Sequence, residues 1–251
     1  MSTEIHSHEL RHWSPEVGLT QRMICRSVVH LSRLVMRVLN KVEFIGTDRW
    51  LPLFEQSERG ILSFSNHVSL FDDPLLIANL GRVAFDDVRW IGADHKNFFG
   101  SALKGYVFAA GKCVPIIRGA GLDQPGLGFL TERLKQGEWV HIFPEGGRTR
   151  DPDAFMRTPF KTGIAQLLSE AKPIAMPFYH YGMHRILPIG QTVPKRGHSV
   201  TVRFGEPTVV SDEWLQTHRG EGSLAHSEHY ASLTAWCETE LQALEAVTHP
   251  G

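Results

Sequence analysis

Two short segments of the sequence bring together side chains that can move a proton and hold an anion. The first contains His67 and, five positions later, Asp72; the second, about seventy residues further on, is the FPEGGRT stretch at 143–149. An imidazole whose pKa lies near neutrality can take the proton from a hydroxyl while that hydroxyl attacks an electrophile. A carboxylate bonded to the ring fixes its tautomer and stabilises the imidazolium. The pair predicts a general base, His67, oriented by Asp72.

The residues around His67 indicate where this base lies in a fold. An apolar, strand-like run, Ile61–Phe64, comes just before it, and Asp72-Asp73-Pro74 is typical of a helix start. Open α/β sheets bind ligands outside the carboxyl ends of their strands, which is where His67 is expected. The alternative is that Asp72 only caps the helix and that His67 is a residue of the turn with no catalytic role.

The second segment predicts an anion-binding turn. It follows another apolar run that ends at Phe143, and Pro144 stops that strand. Glycines let backbone N–H groups approach an anion closely, and an arginine can grip a phosphate in a planar fork. The glutamate would bond a substrate hydroxyl or orient the arginine, and a plain turn with a surface arginine is the alternative. The residues concerned are Glu145, Gly146, Gly147 and Arg148.

Two further cations belong to the same prediction. Arg118 ends the apolar run that begins at Cys113, so it is expected in the same crevice as a second phosphate contact. Lys161 lies at the start of a predicted helix and would add a third positive charge at its N-terminus. A salt-bridged arginine and a solvated lysine on the surface are the alternatives.

Composition narrows the class of protein. A formal net charge of −1 over 251 residues gives no basic field, so no nucleic-acid partner is expected. Three scattered cysteines without a CxxC pair favour a reducing compartment over a disulfide framework. No apolar run reaches the roughly 18 residues that span a bilayer, and no secretory signal is visible at the N-terminus. Any membrane contact is therefore expected to be interfacial.

One motif predicts a different chemistry. His8-Glu9-Leu10-Arg11-His12 matches the HExxH signature of zinc hydrolases. Such a site needs a supported helix and a third ligand, whereas this match lies in a polar N-terminal stretch just ahead of a helix start. A zinc hydrolase is a remote alternative, and the expected enzyme uses no metal and no cofactor.

Apolar runs alternate with helical patterns from Gly60 onward, which predicts an α/β fold with a central, mostly parallel mixed sheet flanked by helices. The predicted strands are 61–65, 88–92, 113–118, 139–143, 174–179 and 200–204, and the predicted helices are 74–80, 97–110, 124–135, 160–171 and 230–247.

An amphipathic helix is predicted ahead of this fold, over residues 20–41. One stripe is apolar and the opposite one is basic, as in helices that lie on a leaflet with anionic headgroups. Ordinary packing of the helix in the core is the alternative. We expect residues 1–41 to form a tail and membrane-binding helix and residues 42–251 to form the main domain. The apolar stripe is Ile24, Val28, Leu31, Val35 and Val38; the basic stripe is Arg22, Arg26, Arg33, Arg37 and Lys41.

Four ordered blocks of the chain resemble the glycerophospholipid acyltransferase superfamily and, within it, the tafazzin-like branch. The resemblance runs from about residue 41 to residue 207. It implies a sheet with flanking helices, bound to one leaflet, with His67 as base and Asp72 as its partner. The blocks are Asn66–Pro74, Gly111–Gly119, Gly137–Gly146 and Pro177–Met183.

The resemblance also implies substrates. The expected enzyme is an O-acyltransferase that moves a fatty acyl group from a phospholipid to the free hydroxyl of a lysophospholipid, as in phospholipid or cardiolipin remodelling. The alternative is a 1-acylglycerol-3-phosphate acyltransferase that uses acyl-CoA or acyl-carrier protein, since Gly147-Arg148-Thr149 is closer to that branch. The protein would be peripheral or monotopic on the reducing side of a bacterial cytoplasmic or organelle membrane. The substrate-binding residues would be Asn66, Ser69, Arg118, Glu145, Gly146, Gly147, Arg148 and Lys161.

Overall fold

A computed structural model describes Leu10 and residues 12–56, 58–80, 88–218 and 226–250. Within these residues, eight strands form one sheet. The strands are β1 (Lys41–Ile45), β2 (Ile61–Ser65), β3 (Trp90–Asp94), β4 (Cys113–Ile116), β5 (Trp139–Ile142), β6 (Ile174–Tyr181), β7 (Ser199–Phe204) and β8 (Thr208–Val209).

The helices fall before, between and after these strands. They are α1 (Leu19–Arg37), α2 (Thr47–Trp50), α3 (Leu53–Gln56), α4 (His95–Phe98), α5 (Ala102–Ala110), α6 (Pro125–Lys135), α7 (Gly163–Ala171), α8 (Met183–Ile186), α9 (Asp212–Thr217) and α10 (His226–Thr248). The predicted helix at 74–80 is instead a π-helical turn, Asp72–Leu76, followed by a 3₁₀ turn, Ile77–Asn79.

The sheet has the order β1-β7-β6-β2-β5-β3-β4, and β8 pairs with β6. The pairs β1–β7, β6–β2, β2–β5, β5–β3 and β3–β4 are parallel, whereas β6 runs antiparallel to β7 and β8. The predicted mostly parallel mixed sheet is confirmed. Strands β2 and β5 are neighbours, with Phe64 opposite Ile142. The two segments that carry the predicted chemistry therefore leave the sheet side by side.

Both faces of the sheet are covered by helices. Neighbouring residues of a strand point to opposite sides of the sheet, so each strand contributes side chains to both layers. Leu62 and Phe64 of β2 pack with α6, α7 and α10, whereas Ile61 packs on the other face with Met36 of α1 and Trp50 of α2. Burial on both faces explains why all five residues of β2 are buried, including Ser63 and Ser65.

The chain leaves α1 earlier than the sequence predicts, and Asn40 provides the reason. Its side-chain amide donates to Val35 O at 3.0 Å and to Lys195 O at 3.2 Å, while its Oδ1 accepts from the His198 N–H at 3.0 Å. The asparagine thus binds the helix end to the chain that enters β7. Lys41 consequently starts strand β1 instead of extending the basic stripe of the helix.

Helix α1 rests on the domain through a face that the predicted apolar stripe does not contain. Its buried residues are Gln21, Cys25, Val29, Ser32 and Met36. In the predicted stripe, Val28, Leu31 and Val38 are exposed instead. The outward side of the helix therefore carries apolar side chains together with the exposed arginines Arg22, Arg26 and Arg37. Among the described helices, none combines the length and apolar character that crossing a bilayer requires.

Candidate active site

His67 and Asp72 meet in the turn that follows β2. His67 Nδ1 lies 2.9 Å from Asp72 Oδ2, and the histidine side chain is 17% exposed while the aspartate is fully buried. The same oxygen accepts the backbone N–H groups of Val68, at 2.7 Å, and Ser69, at 2.9 Å. Because Oδ2 is an acceptor, Nδ1 carries the ring proton in the neutral imidazole and Nε2 is left with a lone pair.

The aspartate is held in its ionised form although it is buried. Burial alone would raise the pKa of Asp72, but the imidazole of His180, the hydrogen bond from His67 and the N–H of Ser69 act in the opposite direction, and the pKa is lowered. A carboxylate that accepts several N–H bonds stays charged even out of water. Asp72 can therefore stabilise a positive charge on His67.

Glu145 ties the histidine turn to the anion-binding turn. Its Oε1 accepts the His67 N–H at 2.5 Å, and its Oε2 accepts the Arg157 N–H at 2.7 Å. The residue is 1% exposed. Burial raises the pKa of Glu145 to about 8, against the two N–H groups, which lower it. The carboxyl group is turned inward and bonds backbone rather than a substrate hydroxyl or Arg148.

Phe143 sets the plane of the imidazole. Its ring stacks on His67 with centroids 4.0 Å apart and an interplanar angle of 11°. His67 O also accepts the Thr149 N–H at 2.8 Å, which joins the turns after β2 and β5 a second time. The histidine is thus fixed through its ring, its N–H and its carbonyl.

The side chains of Asn66 and Ser69 face the protein interior. Asn66 Nδ2 donates to His180 O at 2.9 Å, and its Oδ1 accepts the His180 N–H at 3.0 Å. Ser69 Oγ donates to Leu187 O at 3.0 Å. Both side chains are fully buried, so they tie the histidine turn to β6 and to the end of α8.

His180 adds a second imidazole behind the carboxylate. Its Nε2 lies 3.8 Å from Asp72 Oδ2 and donates to Asn66 O at 3.1 Å. Burial lowers the pKa of His180, against the effect of Asp72, which raises it. This residue is not among the predicted site residues; its place in the resemblance block Pro177–Met183 was the available signal.

Two guanidinium groups converge on Gly147. Measured from the point where a Cβ on Gly147 would lie, Arg118 Nη2 is 3.7 Å away and Arg157 Nη1 is 3.8 Å away. Arg118 Nε pairs with Asp94 Oδ2 at 2.6 Å, which holds the arginine at the carboxyl ends of β3 and β4. The structure thus brings Arg118 to the anion-binding turn, together with Arg157, which is not among the predicted site residues.

The remaining predicted residues lie around the same turn. Gly146 has φ of 69°, in the left-handed region that favours glycine, and its N–H donates to Phe143 O at 3.1 Å. A Cβ there would meet Lys161 Cγ at 2.8 Å, so the exposed lysine covers the glycine with its methylene groups. Arg148 is half-buried and follows the glycine pair.

The alternative zinc motif lies mostly outside the described residues, which include only its Leu10 and His12. In the part of the chain that the structure describes, no group of three or more His, Cys, Asp or Glu side chains is arranged to hold a metal ion.

Comparison with known proteins gives the class to which this fold and site belong. Residues 41–181 match the family model described as Acyltransferase, and the chain therefore belongs to the acyltransferase family. The family resemblance predicted from the sequence is confirmed.

Individual relatives refine this result. The chain is 32% identical over 202 residues to tafazzin from Drosophila melanogaster, a match that covers 77% of this chain and 53% of that protein. It is 29% identical over 201 residues to N-acylphosphatidylethanolamine synthase from Arabidopsis thaliana, covering 76% of this chain and 71% of that one. The chain thus spans about half the length of the Drosophila relative.

A solved structure shares the fold. The crystal structure of the 1-acyl-sn-glycerophosphate acyltransferase from Thermotoga maritima matches with a TM-score of 0.56 at 18% identity, over 90% of this chain and 82% of that one. This similarity supports the architecture of the sheet and its helices.

Proposed function

We propose that this protein transfers a fatty acyl group from a phospholipid to the free hydroxyl of a lysophospholipid, as a tafazzin-like transacylase. The observation that carries the proposal is the 2.9 Å contact between His67 Nδ1 and the buried Asp72, beside a turn on which two guanidinium groups converge. A base next to an anion-binding turn suits an acceptor that has a hydroxyl close to a phosphate.

The proposed reaction has one proton carrier. Nε2 of His67, the nitrogen that Asp72 does not occupy, takes the acceptor's hydroxyl proton as that oxygen attacks the donor's acyl carbonyl. The new ester C–O bond forms and the donor's C–O bond breaks. The proton on Nε2 then passes to the departing oxygen of the donor, which leaves as a lysophospholipid. Asp72 stabilises the imidazolium between the two transfers.

The other predicted residues divide into two roles. Arg118 and Arg148, with the backbone N–H of Gly147, would hold the phosphate of the acceptor. Gly146 would shape the turn, since its own N–H is bonded to Phe143 O. Lys161 would add positive charge beside the turn.

For the buried members of the predicted set, Glu145, Asn66 and Ser69, we propose a positioning role in place of substrate contact. Their side chains bond other parts of the protein. Each of them therefore acts on the reaction through the placement of His67.

We also propose that the protein rests on one leaflet through the outward face of α1. Leu19 is 77% exposed, Met23 61% and Leu34 51%, and the exposed Leu103 and Tyr106 of α5 lie on the neighbouring helix. The side-chain amide of Gln21 donates a hydrogen bond to the carbonyl of Tyr106 at 3.2 Å, which joins the two helices. An apolar helix face of this kind lies in the lipid interface, where both lipid substrates are found.

The donor identifies the reaction. The protein is incubated with labelled lysophospholipid and intact phospholipid, with and without acyl-CoA, and the labelled diacyl product is measured. We expect product with phospholipid alone. Product that forms only when acyl-CoA is added would overturn transacylation in favour of a thioester donor, and product acylated on a headgroup amine would overturn the hydroxyl acceptor.

A further inference from the structure

We infer that Arg157 is a further phosphate-binding residue of this site, carried on a segment that the C-terminal helix holds in place. The inference rests on the proposed function and adds to it a residue that binds the phosphate of the acceptor. We call residues 153–160 the arginine strap; it lies between the anion-binding turn and α7.

The first observation is the convergence of charge. Arg157 comes from the strap and Arg118 from the end of β4, yet both guanidinium groups lie within 4 Å of the Cβ position of Gly147. Asp94 pairs with Nε of Arg118, whereas both Nη atoms of that arginine lie within 4 Å of the same point as Arg157 Nη1. Two cations this close favour an anion between them. Guanidinium groups bind phosphate oxygens through paired N–H bonds. Because Gly147 has no side chain, the space between the two arginines stays open to such an anion.

The second observation is that carboxylates fix the backbone of the strap. The Met156 N–H donates to Glu245 Oε1 at 2.8 Å, and the Phe160 N–H donates to Glu238 Oε2 at 3.0 Å. Both glutamates belong to α10. Between them, the Arg157 N–H donates to Oε2 of Glu145, the buried carboxyl group of the anion-binding turn, at 2.7 Å. Three backbone N–H groups of the strap are thus bonded to glutamate side chains, and the arginine side chain is presented from a fixed base.

The start of the strap is held as well. His249, just after α10, donates from Nε2 to Asp153 O at 2.7 Å, and its ring stacks on Phe155 with centroids 4.0 Å apart. Because its backbone is fixed by these contacts, Arg157 loses little backbone conformational entropy when it binds a ligand. The C-terminal helix therefore acts on the site at a distance, through the position of Arg157.

Binding of two short-chain acceptors tests the inference without relying on turnover. Titration calorimetry compares a lysophosphatidate with the monoacylglycerol of the same chain, which lacks the phosphate. We expect Arg157→Gln to raise the Kd of the lysophosphatidate about 10- to 100-fold, because a charge-assisted contact is lost, and to leave that of the monoacylglycerol unchanged. Arg157→Lys should recover part of the affinity.

The control variant is Lys135→Gln, which removes a cation beside Gly60, at the amino end of β2; it should bind as the wild type does. An unchanged Kd for the lysophosphatidate in Arg157→Gln, or an equal loss for both acceptors, would overturn the inference. A wild type that binds the phosphate through Arg157 but transfers no acyl group would instead overturn the proposed function alone.

The strap is tested by a pair of variants at Glu245. Glu245→Gln keeps an oxygen that can accept the Met156 N–H and should bind lysophosphatidate normally. Glu245→Ala should raise the Kd, and the effect should not add to that of Arg157→Gln, because both act on one contact. Full additivity would show that the helix does not act through Arg157.

Discussion

Asp72 Oδ2 collects three N–H groups at one buried oxygen, from the ring of His67 and from the backbone of Val68 and Ser69. The two backbone bonds close the turn, and the third orients the base. One residue thus shapes the loop and sets the tautomer of the imidazole. Replacement of its charge should separate these two roles.

Asp72→Asn should lower kcat about 100-fold or more, because an amide neither stabilises the imidazolium nor fixes the ring proton on Nδ1. KM should change little, since the buried carboxylate does not touch the acceptor. Initial rates over a range of acceptor concentrations measure both constants. The exposed Asp48→Asn is the matched control, and a kcat near that of the wild type would contradict the assigned role.

The raised pKa of Glu145 predicts that the stability of the protein depends on pH. Its pKa is raised from 4.5 to about 8 by burial, so the folded protein holds a proton that the unfolded chain has released between these values. The contribution of Glu145 to the free energy of unfolding is therefore fully present below pH 4.5. It falls as pH rises to 8, by about 1.4 kcal/mol for each pH unit between the two pKa values.

Urea unfolding of the wild type and Glu145→Gln across this pH range measures the effect. The free energy of unfolding of the wild type should fall relative to that of the variant up to about pH 8 and then level off. A difference that stays constant with pH would show that Glu145 does not titrate in this range.

Helix α1 shows how tertiary contacts change the meaning of an amphipathic pattern. The sequence correctly predicts a helix there, but the face that packs on the domain contains Gln21 and Ser32, whose polar atoms no hydropathy pattern would assign to a core. The helix ends early because Asn40 bonds the chain before β7, a contact across more than 150 residues. Such a contact leaves no trace in local periodicity.

Leu31→Ser with Leu34→Ser should weaken binding to anionic phospholipid vesicles at least about tenfold, since two apolar side chains leave the lipid interface. The free energy of unfolding should barely change, because both side chains are already exposed. Vesicle cosedimentation measures the binding. Val29→Ala, on the buried face, should show the reverse pattern, and equal vesicle binding by all three proteins would refute the proposed membrane face.

Across the whole molecule, the sequence predicts best what depends on neighbours in the chain. The strand and turn that carry His67 and Asp72 are predictable because the apolar run, the histidine and Asp-Asp-Pro are contiguous. Strand β1 could not be predicted from local sequence, since its pairing with β7 joins residues far apart in the chain. Arg157 escapes prediction for the same reason, because it reaches the site through tertiary contacts that no local motif encodes. His180 lies in the block Pro177–Met183, but only the folded chain places it behind Asp72.

The rate of acyl transfer by His67→Ala tests the central claim most directly. In the assay with phospholipid donor and labelled lysophospholipid, the variant should be slower than the wild type by about 100-fold or more, because the general base is lost. His198→Ala, which removes an imidazole elsewhere, should keep the wild-type rate. A folded His67→Ala protein that transfers acyl groups within a few-fold of the wild-type rate would contradict the account.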